Sequence, residues 1–308
     1  MTWHRGERAV QVRAGLADQA DHGGRAVRAQ IPVVAAAFLA EQPMIVIGAA
    51  DEAGHVWASL LTGPPGFVHA AGPATVRVAA RPEPWDPLAG ALGDAATVGT
   101  IAIDPARRRR MRVNGVSVPD ADGLRITADQ VYANCPKYIQ RRHLLDARGE
   151  AARPTAVHGS ELTPDQRRRI SAADTFFVAT ADDQGHADAS HRGGDPGFVQ
   201  VLSPTRLRWP DYVGNAMFMT LGNLDVNPAA GLLFPDFTTG TLLYVSGTAR
   251  TEWDPERVAA TSGAQRLVDL AVTDVIEVAA AVPLRWGDPE FSRANPPVGT
   301  VSATLPRG

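Results

Sequence analysis

Short apolar runs that end in tight-turn sequences recur along most of this chain. The runs 44–50 and 175–181 each lead into an Asp-x-x-Gly turn and then into a second extended run, a pattern typical of a β-hairpin. Two further pairs of runs predict antiparallel strands joined by tight loops: 97–103 with 111–118, and 231–234 with 241–249. Many short strands at this spacing, in a unit of about 100 residues, favour a small barrel or sandwich.

Helical periodicity is confined to the flanks of these strand-rich regions. Four segments are predicted as helices: 31–41, 127–142, 163–172 and 255–270. Thr127 and Thr163 are suitable N-caps for two of them. The fold class is therefore mainly β with flanking helices.

The hairpin sequence occurs twice in the chain. Residues 44–68 and 175–199 are identical at 11 of 25 aligned positions without a gap, at a shift of 131. A second stretch, 98–117, aligns with 230–249 at a shift of 132, so the shift changes by only one residue. The repeat predicts two related domains, 1–155 and 156–308, with residues 148–161 as the linker between them.

Composition and charge narrow the class of protein. Hydrophobic residues make up 44% of the chain and charged residues 20%, which excludes a disordered chain, and no segment is long and apolar enough to predict a membrane span. The 30 Lys+Arg nearly balance the 33 Asp+Glu, which argues against nucleic-acid binding by bulk charge. A single cysteine excludes an internal disulfide and a multi-cysteine metal site, and no metal ligand set is predicted. No secretory signal is present, and a cytoplasmic location is expected.

The two copies diverge just after the hairpin, at the position where chemistry is expected. Leu60 and Leu61 of the first copy are replaced by His191 and Arg192 in the second, followed by two glycines. Glycine permits close approach of a ligand to the backbone, and arginine pairs with phosphate. The second copy also carries Asn215, Thr220, Asn223 and Asn227, whereas the matching residues 85–98 contain no asparagine. The alternative is structural: Asn215 and Asn223 take left-handed turn conformations beside their glycines.

The distribution of basic residues gives a third candidate region for ligand binding. All but one of the 30 are arginine, and the single lysine, Lys137, lies two positions from the only cysteine, Cys135. This lysine is either required as a compact ammonium or retained by chance. Cys135 is interpreted as a small buried side chain, and the arginine runs 107–110 and 167–169 as solvated charges.

Taken together, these segments resemble a known family. The second copy carries Ser190, His191, Arg192 and Gly193 before 194–199, then Asp211, Tyr212 and Asn215, then Gly222, Asn223 and 227–234. This order is similar to that of the pyridoxamine 5′-phosphate oxidase-like FMN-binding split barrels, in particular their two-barrel members. The segments 134–139 and 283–296 also resemble that group. The resemblance implies tandem six-stranded antiparallel split β-barrels packed as a pseudo-dimer, with FMN in the groove between them.

The resemblance also implies roles for individual residues. Arg192 and Thr220 would meet the phosphate, Asn215 and Asn223 would hold the phosphate or the ribityl chain, and Lys137 would reach the flavin from the other half. The full set of cofactor-binding residues implied is Ser190, His191, Arg192, Gly193, Asp211, Tyr212, Asn215, Thr220, Asn223 and Lys137. The first copy departs from the pattern at Leu60 and Leu61, so one flavin site per chain is expected, built on the second barrel. Residues 211–224 lack the basic motif of the true oxidase, which argues against vitamin B6 oxidation.

The function implied is that of an FMN-dependent oxidoreductase acting on a small-molecule substrate, with a reduced nicotinamide or a deazaflavin as electron donor. FAD, haem and deazaflavin are the alternative cofactors, and His191 is the residue that haem ligation would need. Two other interpretations stay open: a non-catalytic flavin- or haem-binding protein of the same fold, and a duplicated barrel that has lost its ligand. A homodimer is compatible with the sequence, and neither a nucleic-acid nor a membrane partner is expected.

Overall fold

The computed structural model describes residues 3–146 and 153–298 of the chain. Strands dominate, as predicted, and they form two large antiparallel sheets. The linker predicted at 148–161 lies partly outside the described residues, because 147–152 are not among them, and its remaining part contains a strand, β9 (Thr155–Gly159). No helix among the described residues is long and apolar enough to cross a membrane.

The first sheet has seven strands in the order β2-β1-β5-β6-β7-β4-β3. Their bounds are β1 (Met44–Ala50), β2 (Val56–Thr62), β3 (Val68–Gly72), β4 (Thr75–Val78), β5 (Ala96–Asp104), β6 (Arg109–Asp120) and β7 (Gly123–Ala133). The predicted hairpin 44–62 is confirmed, with Met44 paired to Thr62 and Ala50 to Val56. The predicted pairing of 97–103 with 111–118 is also confirmed.

The second sheet repeats that order as β11-β10-β14-β15-β16-β13-β12, and β9 joins the edge of β16. Its strands are β10 (Thr175–Ala181), β11 (Ala187–Gly193), β12 (Gln200–Ser203), β13 (Arg206–Asp211), β14 (Ala229–Pro235), β15 (Leu242–Glu252) and β16 (Arg266–Ala279). The tandem split-barrel fold is thus confirmed, whereas the expected count of six strands per barrel is too low. A short two-stranded ladder completes the structure: β8 (Leu144–Asp146) with β17 (Arg285–Trp286).

The helices are short: α1 (Arg5–Arg13), α2 (Ala17–Gly24), α3 (Val33–Ala40), α4 (Pro164–Ala172), α5 (Met219–Val226) and α6 (Pro255–Ala259). The helices predicted at 31–41 and 163–172 are confirmed as α3 and α4, and Thr163 caps α4 in a capping box with Gln166. The helix predicted at 127–142 is wrong, because β7 continues to Ala133 and irregular backbone follows. The helix predicted at 255–270 ends at Ala259, since Gly263 turns the chain with φ +70° and β16 begins at Arg266.

The two barrels pack through positions that are related by the sequence repeat. A Cβ built on Gly99 would lie 2.3 Å from Asp188 Cα, and one built on Gly231 would lie 2.3 Å from Val56 O and 2.6 Å from Trp57 Cα. Gly99 and Gly231 occupy equivalent positions, as do Trp57 and Asp188, so the same backbone approach occurs twice. The barrels are therefore related by a pseudo-twofold arrangement in which glycine allows close contact.

Residues near each end of the chain pack into the core of the barrel formed by the other half. Val10 of α1 is buried in the core of the second sheet, together with Phe176 and Trp209. Near the other end, Leu284 and Trp286 are buried in the core of the first sheet. Each barrel core thus receives side chains from the far terminus, and the boundary at residue 155 stays a prediction.

Candidate functional site

A cavity of about 280 Å³ lies where the two barrels meet, and side chains from both halves line it. We call it the arginine cavity, because four guanidinium groups line it, those of Arg110, Arg112, Arg192 and Arg266. The second barrel contributes 190–192 from β11 and the segment 211–221 that leads from β13 into α5. The first barrel contributes residues from β6 and from the segment after β7. The groove between barrels is thus a polar site.

Arg112 is held by the second barrel across the interface. Its Nη1 donates to both oxygens of Asp188, at 2.7 and 2.8 Å, and its Nη2 donates to Ser190 Oγ at 2.5 Å. Ser190 Oγ lies 2.8 Å from Thr220 Oγ1, so the chain of hydrogen bonds reaches the start of α5. Burial opposes the charge of Arg112, but Asp188 outweighs it, so that the pKa of Arg112 is raised.

Arg110 is bound differently, through the imidazole of His191. Its Nη1 lies 2.7 Å from His191 Nδ1, and its Nε donates to the carbonyl of Cys135 at 3.1 Å. Burial and the neighbouring Arg112 and Arg192 lower the pKa of Arg110 to about 9. Burial, then the charge of Arg110 and those of Arg192 and Arg112, hold the pKa of His191 well below its ordinary value, so this imidazole is neutral and accepts from Arg110.

Arg192 and Arg266 share a single carboxylate. Asp211 Oδ2 is 3.0 Å from both Nε and Nη2 of Arg266, whereas Arg192 Nη1 is 3.7 Å from Asp211 Oδ1. Among the described residues, Arg192 Nε and Arg112 Nε are buried and have no hydrogen-bond partner. Burial lowers the pKa of Arg192, and Asp211 only partly opposes this. Two of the four guanidinium groups therefore keep unused donors.

The charges of this cluster do not cancel. The four arginines are matched by two carboxylates, those of Asp188 and Asp211, which leaves an excess of two positive charges around one cavity. A buried excess of one sign is costly unless a counter-charge enters. A phosphate monoester carries ≈ −1.5 to −2 near neutral pH and presents three acceptor oxygens. The cluster therefore fits a dianionic phosphate in both charge and donor type.

Most predicted residues of the second barrel meet in this cavity: Ser190, His191, Arg192, Asp211, Tyr212, Asn215 and Thr220 all line it. The other three do not. Gly193 packs against the carbonyl of Tyr138, which a Cβ would approach to 2.0 Å. Lys137 is exposed, and only its carbonyl contacts the cluster, by accepting from Arg110 at 3.4 Å. Asn223 binds Thr180 and His4 instead and lines a separate cavity.

The loop before α5 takes a strained path, but not through its asparagines. Left-handed backbone occurs at Ala216 and Phe218, with φ of 61° and 59°, and not at Asn215 or Asn223. Asn215 Oδ1 accepts from the backbone N–H of Met217 at 3.1 Å, and Asn223 lies within α5. The structural alternative for the two asparagines is therefore wrong in its geometry. Strain in a loop that lines a cavity is common at ligand sites.

Several residues of the cavity were not expected from the sequence. Arg110 belongs to the run interpreted as solvated, yet it is half-buried, whereas Arg107 of the same run is exposed and pairs with Glu41. Arg112 and Arg266 were not singled out, and Cys135 lines the cavity rather than lying in a core. The strand predicted at 111–118 begins too late to include Arg110, whereas β6 begins at Arg109, so that residues 110 and 112 share a face of the strand.

The groove at the pseudo-equivalent position is filled by side chains. Leu60 and Leu61, which replace His191 and Arg192, are both buried. Tyr244 occupies the position of Arg112, and its hydroxyl donates to Asp86 Oδ2 at 3.1 Å. Ser59 Oγ donates to the same oxygen at 2.5 Å, and burial raises the pKa of Asp86. In the second barrel, Ser190 is hydrogen-bonded to Thr220. At the equivalent position of the first barrel, Ser59 is hydrogen-bonded to the buried carboxyl group of Asp86.

The comparisons with known proteins agree with the second half of this description. Residues 162–281 match the family model described as Pyridoxamine 5′-phosphate oxidase. The match covers less than half of the chain, and it shows that this segment is similar to that family. The resemblance inferred from the sequence is thus confirmed, and the family segment contains Ser190, Arg192, Asp211 and Thr220 of the arginine cavity.

Distant likenesses to solved structures are found as well, and no curated protein matches the chain. A putative pyridoxamine 5′-phosphate oxidase from Lactobacillus delbrueckii is 20% identical, with a TM-score of 0.32, over 37% of this chain and 93% of that one. An FAD binding protein from Mycobacterium smegmatis is 13% identical, with a TM-score of 0.29, over 39% of this chain and 98% of that one. A pyridoxinephosphate oxidase family protein from Clostridium acetobutylicum is 15% identical, with a TM-score of 0.27, over 35% of this chain and 80% of that one. Likeness at this level identifies neither ligand nor activity.

The described residues contain no group of three or more His, Cys, Asp or Glu side chains that could hold a metal ion.

Proposed function

We propose that the chain binds FMN in the arginine cavity and acts as an oxidoreductase on a small-molecule substrate, with a reduced nicotinamide or a similar electron donor. The observation that carries this proposal is the excess of two positive charges among partly buried arginines with unused donors. A dianionic phosphate ester supplies the missing counter-charge. The family of residues 162–281 supports a flavin as the body of that ester.

In this proposal the phosphate is held by Arg192 and Arg266, with the hydroxyl groups of Ser190 and Thr220 as further donors. Asp211 orients both arginines, and its single carboxylate leaves part of their charge for the ligand. The bound flavin supplies hydride and electron transfer, while the protein binds and orients it. Arg110 and the neutral imidazole of His191 line the other side of the cavity and make it polar.

The spectrum of the freshly purified full chain is the first test. Flavin bands near 370 and 450 nm, or their appearance after FMN is added, are expected (from the general absorbance of flavins). A Soret band would indicate haem instead, and a colourless protein that does not bind added FMN contradicts the proposal. Oxidation of a reduced nicotinamide by the loaded protein separates an oxidoreductase from a non-catalytic flavin-binding protein.

A pair of matched variants assigns the site. Arg192→Ala removes a charge-assisted contact to phosphate and is expected to weaken FMN binding by roughly 10- to 100-fold. Arg107→Ala removes an exposed arginine that pairs with Glu41, and FMN binding should stay unchanged. Isothermal titration calorimetry of both variants gives the comparison. Equal losses of FMN affinity in the two variants would show that the phosphate is not bound at Arg192.

A further inference from the structure

A second cavity, of about 420 Å³, adjoins the arginine cavity on the first barrel. It lies between α3 and the strands β6 and β7, and we call it the α3 cavity. Its wall is apolar over much of its extent, and the principal apolar side chains are Pro32, Ala35, Phe38, Met111 and Val131. A cavity of this size and character is typical of small-molecule sites.

Two cations at the α3 cavity lack a counter-charge. Within the described residues, neither Arg28 nor Arg109 forms an ion pair, and both are exposed. Arg109 lies over the ring of Phe38, with its Cζ 5.3 Å from the ring centroid, so its guanidinium is held at the apolar wall. Arg107 and Arg108, which also line this cavity, are instead occupied by Glu41 and Glu290.

The two cavities share part of their lining. Arg110 and Asn134 line both of them, so a ligand in one lies beside a ligand in the other. Asn134 Oδ1 is buried, and no donor reaches it within the part of the chain that the structure describes. A buried acceptor without a partner is costly, which points to a donor supplied from outside the chain.

We propose that the α3 cavity binds a small organic anion, a carboxylate on an aromatic or branched apolar body, and that it is the substrate pocket of the flavin site. The substrate role rests on the proposed function, whereas the binding itself does not. The planar guanidinium groups of Arg28 and Arg109 match a carboxylate, and the wall around Phe38 matches the apolar body. Asn134, at the junction, accepts a hydroxyl or amino donor of the ligand.

A carboxylate fits this pocket better than a nucleotide phosphate does. The arginine cavity combines four arginines with serine and threonine hydroxyl groups, whereas the described residues that line the α3 cavity include no serine or threonine and are mainly apolar. Of the five arginines that line the α3 cavity, three are bound to Glu41, Glu290 or His191, which leaves Arg28 and Arg109 for a ligand. A neutral apolar ligand would leave both guanidinium charges unused. Recognition by Arg28 and Arg109 therefore selects ligands that have one anionic group and a compact apolar body.

The test uses 3-phenylpropanoate and its uncharged analogue 3-phenylpropanamide as probes. Calorimetric titration of the purified full chain should give binding of the carboxylate that is at least about ten-fold tighter than that of the amide. The carboxylate affinity should also fall as salt is raised, because partly exposed charges are screened. Equal binding of the two probes, or binding of neither, overturns the proposal.

Variants then assign the cations. Arg28→Gln and Arg109→Gln should each weaken 3-phenylpropanoate by roughly ten-fold and leave the amide unchanged. The matched control is Arg125→Gln, an exposed arginine of β7 that lines neither cavity. Thermal unfolding of each variant shows that the fold is intact. If Arg125→Gln lowers the affinity as much as the other two do, the anion binds by general surface charge and the assignment is wrong.

The two proposals fail in different ways. In FMN-loaded protein, 3-phenylpropanoate should shift the flavin absorbance, and this shift should be lost in Arg109→Gln. A chain that binds the carboxylate but not FMN overturns the proposed function and leaves the anion site in place. A chain that binds FMN but not the carboxylate overturns only the anion site, and binding of both without a spectral shift overturns the substrate role.

Discussion

One ionisable residue between the barrels, Glu7, has a pKa that departs from its ordinary value. Glu7 of α1 is 5% exposed, and burial, with Asp188 and Asp182 adding to it, raises its pKa to about 7, although the His4 backbone N–H bonded to it opposes the shift. The ordinary value is 4.5, so the folded chain binds this proton more tightly than the unfolded chain does. The stability that Glu7 contributes is complete below about pH 4.5 and is lost as the pH rises through 7.

Glu7→Gln tests this directly, because glutamine keeps the acceptor for the His4 N–H without the charge. The variant should match the wild type closely at pH 4.5 and exceed its free energy of unfolding at pH 8 by up to about 3 kcal/mol. Urea denaturation at the two pH values measures the difference. Glu52→Gln, an exposed turn residue, is the control. A Glu7→Gln effect that does not change with pH contradicts the account.

Only some residues of the arginine cavity could be predicted from the sequence. The polar positions at which the second copy differs from the first predict Arg192 and Thr220 as candidates, and both line the arginine cavity. Arg110 was missed because a run of four arginines resembles a solvated segment. Strand alternation divides that run between two faces, but which face meets another barrel depends on contacts with Ser190 and His191, about 80 residues away.

At the scale of elements, local patterns predicted the hairpins well and the helix at 127–142 wrongly. The segment 123–133 contains residues that suit either state, and its buried positions follow the period-2 pattern of a strand. Pairing with β6 on one side and β4 on the other decides the outcome. Tertiary context overrides propensity in such a segment.

The close contact of β5 with β11 gives a prediction at this scale. Gly99→Ala places a Cβ against the backbone of Asp188, which cannot move without disturbing its pairing with Arg112. We expect a loss of roughly 1–3 kcal/mol in the free energy of unfolding, with weaker FMN binding.

Gly90→Ala is the matched control, since Gly90 has φ −67° and no atom within 4 Å of a built Cβ. Urea denaturation and FMN titration of both variants decide the question. Equal stability of the two variants would mean that the barrels can separate slightly at no cost.

Across the whole molecule, the two pseudo-equivalent grooves are chemically different. One has four arginines, and the other is filled by Leu60, Leu61 and the Asp86–Tyr244 pair. The leucines were visible in the sequence comparison. The part played by Asp86 and Tyr244 was not, because Asp86 lies in a loop and reaches Tyr244 over 158 positions of sequence.

This difference predicts one flavin per chain. Titration of the purified protein with FMN should saturate at one equivalent, since Leu60 and Leu61 stand where the other groove has His191 and Arg192, and the buried carboxyl group of Asp86 would repel a phosphate. Release of the bound flavin by heating, followed by absorbance against protein concentration, gives an independent count. A value of two per chain would show that the Asp86 groove also opens.

The position of α1 has a consequence for how the chain is made. Gln11 Nε2 donates to the carbonyl of Met217, and His4 lies 3.0 Å from Asn223, so α1 docks on a helix some 200 residues later. At about 5–20 residues per second, synthesis leaves α1 without that surface for roughly 10–40 s. During this interval Val10 has no core to enter, and α1 stays undocked until the second barrel has been synthesised.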